Sequence, residues 1–99
     1  MDARIVRLRI TGAVQGVGFR AFVADAATRL GARGWVRNCS DRSVEAVVAG
    51  SPEVVGEMII ACRHGPPGSS VEAVETEAAE AADLADARPG AGFRVMPTV

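Results

Sequence analysis

Apolar and polar positions alternate from residue 4 to 11. Val6, Leu8 and Ile10 fall on one side, and Arg7, Arg9 and Thr11 on the other. A period of two over that length predicts a half-buried strand. Gly12 opens a glycine-containing loop that runs to Gly18. From Phe19 the period changes. Phe19, Phe22, Val23, Ala26 and Leu30 recur at helical spacing and Gly31 stands where a C-terminal cap belongs, so a helix is expected over 20–31. Residues 34–39, anchored by Trp35, predict a second strand and 44–49 a third, with Ser40-Asp41-Arg42-Ser43 as the turn of the hairpin between them. Ser51-Pro52-Glu53 begins a second helix: the serine caps, proline suits the first helical position, and glutamate favours the positive end of the dipole. Its apolar stripe is Val54, Val55, Met58, Ile59 and Cys62, and it should stop before Gly65-Pro66-Pro67-Gly68.

Residues 71–87 point two ways. Val71 to Glu80 could form a strand, yet the Ala/Glu-rich composition has strong helix propensity. The element order β, α, β, β, α leaves a sheet that lacks its fourth strand unless 71–80 supplies it. Consistency with the rest of the chain therefore favours strand over local propensity. Phe93-Arg-Val-Met predicts a short final strand. The expected architecture is α+β: a ferredoxin-like sandwich built on the split βαβ pattern, βαββαβ plus a short terminal strand. Its sheet is mostly antiparallel and carries two helices on one face. No repeat or long linker interrupts the 99 residues, so a single domain over 1–99 is expected.

Composition narrows the possibilities. With 48% apolar residues the chain can build a core and is not a disordered segment. A net charge of −1 weighs against nucleic-acid binding. All 11 cations are arginine, which removes Schiff-base and P-loop lysine chemistry. The 2 cysteines, Cys39 and Cys62, form no C-x-x-C pair, and neither a signal peptide nor a membrane-length apolar run is present. These features predict a cytoplasmic protein with free thiols and no membrane association.

The loop Gly12 to Arg20 carries the chemistry. It ends at a helix N-terminus, where free N–H groups and the dipole favour an anion. Arg20 in the first turn opposes that dipole unless an anion compensates it, and its planar fork suits two phosphate oxygens. On spacing alone, an anion cradle and a plain glycine loop with a surface arginine both account for the segment. Asn38 shares a strand face with Val36. Its carboxamide could hold a water and steady an oxyanion, or it could simply favour the turn that follows. His64, the one histidine, suits a helix C-terminus. Cys39, without a histidine nearby, suits packing, and Asp41 and Glu45 suit a turn and an exposed strand. Metal-ligand spacing is absent. An anion cradle, one arginine and one carboxamide, without an evident acid, base or nucleophile, suit a substrate that is already activated. An acyl phosphate fits, because its carboxylate leaves without protonation and phosphoryl transfer mainly needs positioning and charge stabilisation.

The segments Gly12-Ala-Val-Gln-Gly-Val-Gly-Phe-Arg20, Gly34-Trp-Val-Arg-Asn38, Ser43-Val-Glu45 and Gly50 resemble acylphosphatases, with looser similarity at Gly65-Pro66-Pro67, Val71 and Val74. The resemblance implies hydrolysis of the carboxyl–phosphate bond of an acyl phosphate without metal or cofactor. It implies that Arg20 binds the phosphoryl group and Asn38 orients the attacking water. The backbone of Gln15, Gly16, Val17, Gly18 and Phe19 would cradle the phosphate, so inorganic phosphate or a similar anion should bind there. A monomer is expected from size and class. The alternative is a non-catalytic or carbamoyl-phosphate-handling module, since similar domains begin larger hydrogenase-maturation proteins. Those proteins continue into zinc-binding segments, whereas this chain has no C-x-x-C pair and its Gly34-Trp35 favours the free-standing enzyme. The resemblance departs in two places. Many relatives have glycine where Arg42 stands, and positive φ is costly for a side-chain-bearing residue, so the turn is expected to change type or loosen. Similarity also fades in the Ala/Glu-rich stretch 75–87.

Overall fold

A computed structural model of the chain describes residues 3–84 and 92–99. The end of the ambiguous stretch, 85–87, lies outside the described residues. The elements run β1 (Arg4–Ala13), α1 (Phe19–Leu30), β2 (Arg33–Asn38), β3 (Val44–Gly50), α2 (Pro52–His64), β4 (Ser70–Ala78), a 3₁₀ turn (Ala81–Leu84) and β5 (Phe93–Val95). The sheet order is β4-β1-β3-β2-β5. Only the β2–β5 pair is parallel among the described strands. This is the ferredoxin-like α+β arrangement expected from the element order.

The alternation of β1 buries Val6, Leu8 and Ile10 beneath both helices, with Val36 of β2 and Val44, Ala46 and Val48 of β3 on the same face. The helices add Phe19, Val23, Ala26 and Ala27 from α1, and Val55, Met58 and Cys62 from α2. At its C-terminus α1 closes on Gly31, φ 78°, and Ala32 N–H donates to Ala27 O at 2.8 Å, which satisfies a carbonyl the helix leaves free. Ser51 caps α2 as predicted: its hydroxyl accepts the Val54 N–H at 3.2 Å.

β4 resolves the two-way reading of 71–80 in favour of strand. Thr11 pairs with Ala73 but Gly12 pairs with Val71, so Glu72 is an extra residue in a β-bulge. The bulge returns Val71 and Val74, three residues apart, to one face, and both pack on the core. Their spacing looks helical because the bulge breaks the period of two. Gly12 itself has φ 121°, and a Cβ there would stand 2.2 Å from Ser70 O.

The other face of the sheet is ionic at one end and apolar at the other. Arg7 pairs with Glu45 and Asp83, and Arg37 reaches Glu45 at 2.8 Å. Glu45, expected on an exposed strand, is therefore half-buried between two guanidinium groups. Trp35 is buried beside Val47. It donates from Nε1 to Asp83 O at 2.9 Å and has the Arg37 guanidinium 4.5 Å above its ring.

Candidate active site

Gly16 and Gly18 adopt φ 76° and 79°, while Val17 between them keeps an ordinary negative φ. This alternation curls consecutive N–H groups towards one concavity. Gly18 is the residue before α1, and no side chain caps the helix. Among the described residues, no hydrogen-bond acceptor takes the N–H groups of Gln15 to Ala21. The first turn of α1 also contains no carboxylate. The loop therefore presents an uncompensated positive end with its donors free for an anion.

Arg20 and Asn38 face that concavity. A cavity of about 300 Å³ is lined by Val14, Gly16, Gly18, Phe19, Arg20, Ala21, Asn38 and Val95. The loop, the arginine and the asparagine singled out from sequence thus share one hollow. Arg20 has no carboxylate partner among the described residues. The Asn38 carboxamide likewise has no hydrogen-bond partner among them, so both heads are available to a ligand. Asn38 is placed by backbone pairing: it lies opposite Val44 of β3, and its carbonyl accepts Val99 N–H at 3.1 Å. Val95 and this C-terminal segment carried no sequence signal as part of a site. They arrive because β5 pairs in parallel with β2 and brings Val95 opposite Val36.

The hairpin turn after Asn38 keeps its left-handed residue. Arg42 adopts φ 76°, so the expectation that the turn would change type or loosen is corrected. The conformation is over-determined by its bonds. Arg42 N–H donates to Cys39 O at 3.0 Å, and Cys39 N–H donates to Ser43 O at 2.9 Å. The Asp41 carboxylate accepts from Ser43 Oγ at 2.6 Å and Ser43 N–H at 3.0 Å, and it also meets Arg9. Bonds to Ser43 and Arg9 hold the Asp41 carboxyl down at about 2. One further contact has no signal in the sequence. The Gln15 side chain reaches from the loop to this turn, its Nε2 donating to Cys39 O and Ser43 O at 2.8 Å each.

A larger hollow, about 430 Å³, lies on the opposite face of the sheet between Arg7, Arg9, Glu45, Glu75, Thr76 and Glu77. Its arginines are already paired with carboxylates, and its three glutamates repel an anion, so it does not compete with the loop for phosphate. The remaining titratable candidates lie apart from the loop. His64 is exposed at the end of α2, and burial pushes the Cys62 thiol up to about 12. No cluster of three or more histidine, cysteine or acidic side chains suited to a metal occurs among the described residues.

Comparison with known proteins points the chain to one family. The acylphosphatase family model matches residues 6–94. An acylphosphatase of Bradyrhizobium diazoefficiens is 50% identical over 99 residues, 100% of each chain. The solved structure of an acylphosphatase from Coxiella burnetii superposes with a TM-score of 0.84 at 29% identity, covering 96% of this chain and 94% of that one. Full-length HypF in its phosphate- and nucleotide-bound form superposes with a TM-score of 0.82 at 24% identity, over 98% of this chain but 12% of HypF. That last likeness is one of fold alone.

Proposed function

Because this chain belongs to the acylphosphatase family, it is an enzyme that hydrolyses acyl phosphates, and we propose that the cavity around Arg20 and Asn38 is where it does so. The observation that carries the assignment is the shared hollow: loop N–H groups, a guanidinium and a carboxamide, none with a partner among the described residues, converge there. The phosphoryl group sits on the backbone from Gln15 to Phe19, with the Arg20 fork on two of its oxygens. Asn38 holds a water on the side of phosphorus opposite the acyl oxygen. As the water oxygen bonds to phosphorus, the bond to the acyl oxygen breaks. The carboxylate departs with the electron pair, and the water's proton passes to a phosphate oxygen. No acid is required, because a carboxylate is a weak base. The acyl group extends towards Val95, an apolar residue 46% exposed at the rim, which favours apolar acyl groups.

The same reading takes the chain as one domain that works without metal or cofactor. Two free thiols suit a reducing, cytoplasmic setting, and the near-neutral charge offers nothing to nucleic acid. No helix among the described residues is long and apolar enough to cross a membrane. Size and class suit a monomer.

The test is hydrolysis of benzoyl phosphate in the presence of excess EDTA. Turnover that survives the chelator supports the metal-free mechanism. Loss on chelation overturns it. Phosphate binding without turnover favours a binding module instead.

A further inference from the structure

The two halves of the site lie on different segments. The loop fixes the phosphorus, Asn38 fixes the water, and in-line displacement needs both on one axis through the leaving oxygen. A misplacement of about 1 Å in such an arrangement costs on the order of 10²-fold. The described side chain that joins the segments is Gln15. Its amide donates to Cys39 O and Ser43 O, across sequence separations of 24 and 28 residues. Cys39 follows Asn38 directly, and Gln15 precedes Gly16.

These bonds are not needed to satisfy the turn. Cys39 O already accepts Arg42 N–H, and Ser43 O already accepts Cys39 N–H. The turn closes on its own backbone, and the Gln15 amide adds a second donor to each carbonyl. A primary amide supplies two N–H groups in one rigid plane, which matches two neighbouring carbonyls. The loop is thereby registered against the strand end that carries Asn38.

We infer that Gln15 is a positioning residue whose side chain aligns Asn38 with the phosphate loop, beyond any contribution its backbone makes to the cradle. The inference rests on the proposed roles of Arg20 and Asn38. It predicts a specific kinetic signature. Gln15→Met keeps the length of the side chain and removes both donors. Its kcat should fall by about 10–100-fold. The constant for competitive inhibition by inorganic phosphate should stay within about twofold, because the loop itself is intact.

The decisive measurement is the double variant. In an Asn38→Ala background Gln15 has no carboxamide left to align, so adding Gln15→Met should change kcat by less than about twofold. Additive losses overturn the inference, as does a single variant with wild-type kcat. A weakened phosphate constant with unchanged kcat also overturns it, by assigning Gln15 to the cradle alone. Should Gln15→Met fail to fold, Gln15→Glu gives a second route. Its ionised carboxylate has no donor, and protonation restores one. Its kcat relative to the wild type should therefore rise as pH falls from about 7 towards the carboxyl range near 4, and a flat ratio overturns the inference. If Asn38→Ala alone retains full activity, the proposed function of Asn38 fails first, whatever Gln15 does.

Discussion

Replacing Asn38 by alanine removes the carboxamide and little else. The backbone of Asn38 is held opposite Val44 and by Val99 N–H, and alanine keeps both contacts. The side chain has no hydrogen-bond partner among the described residues and is only half-buried, so its loss strands no buried group. The expected stability change is within about 0.5 kcal/mol, the range for substitutions that break no named contact. That corresponds to a Tm shift of roughly 2–4 °C for a domain of this size. Catalysis should respond on another scale. Loss of one preorganised polar group from a site that works by positioning and charge stabilisation costs about 10²–10³ in kcat, or roughly 2.7–4 kcal/mol. Phosphate affinity should barely move, because the loop and Arg20 are untouched. Steady-state hydrolysis of benzoyl phosphate gives kcat, competitive inhibition by phosphate gives the affinity, and thermal unfolding gives Tm. A kcat within about threefold of the wild type, with Tm preserved, would refute the reasoning and return Asn38 to the role of a turn residue.

Arg20→Lys should lose about 10²-fold or more in kcat/KM and weaken inhibition by phosphate, because an ammonium cannot reproduce the bidentate fork; near-wild-type kinetics would remove Arg20 from the site. Gly12→Ala should destabilise the fold by about 2 kcal/mol, since its Cβ would meet Ser70 O at a backbone φ of 121°; Tm should fall by roughly 8–16 °C in a calorimetric scan. In the native protein a thiol reagent should modify Cys39 and spare Cys62, which burial keeps protonated at neutral pH, and denaturation should release the second thiol; mass spectrometry of the two products counts them. Asp41 has its folded-state value lowered to about 2 by Ser43 and Arg9, so its contribution to stability is complete above the usual carboxylate range and is lost as pH falls through about 2. The Tm difference between the wild type and Asp41→Ala should accordingly shrink between pH 4 and pH 2, and a constant difference would show that its ionisation is irrelevant to the turn.

Most of the candidate site was legible in the sequence because its parts announce themselves locally. Gly16, Gly18 and Arg20 stand at a strand-to-helix junction, and Asn38 ends a strand with a clear anchor in Trp35. Ser51 and Gly31 marked helix ends by capping chemistry that depends on nearest neighbours alone. What stayed hidden depends on tertiary partners. The bulge at Glu72 that turns Val71 and Val74 to one face carries no mark in the sequence, although the element order already favours a strand there. Glu45 looks exposed until Arg7 and Arg37 are seen on either side of it. Arg42 looks incompatible with a left-handed turn until the bonds among Cys39, Asp41, Arg42 and Ser43 are counted. Val95 joins the site only through the parallel pairing of β5, and a three-residue strand has too little pattern to announce its partner.

The amide bridge from Gln15 to the hairpin turn also makes catalysis a reporter of folding. It closes 24 and 28 residues of chain, and the β5 strand that brings Val95 to the rim pairs Phe93 with Gly34. Helices form from near neighbours, whereas such distant contacts arrive only after loop-closure entropy has been overcome. Recovery of hydrolysis during refolding therefore reports that these long-range contacts have closed, which helix content alone does not.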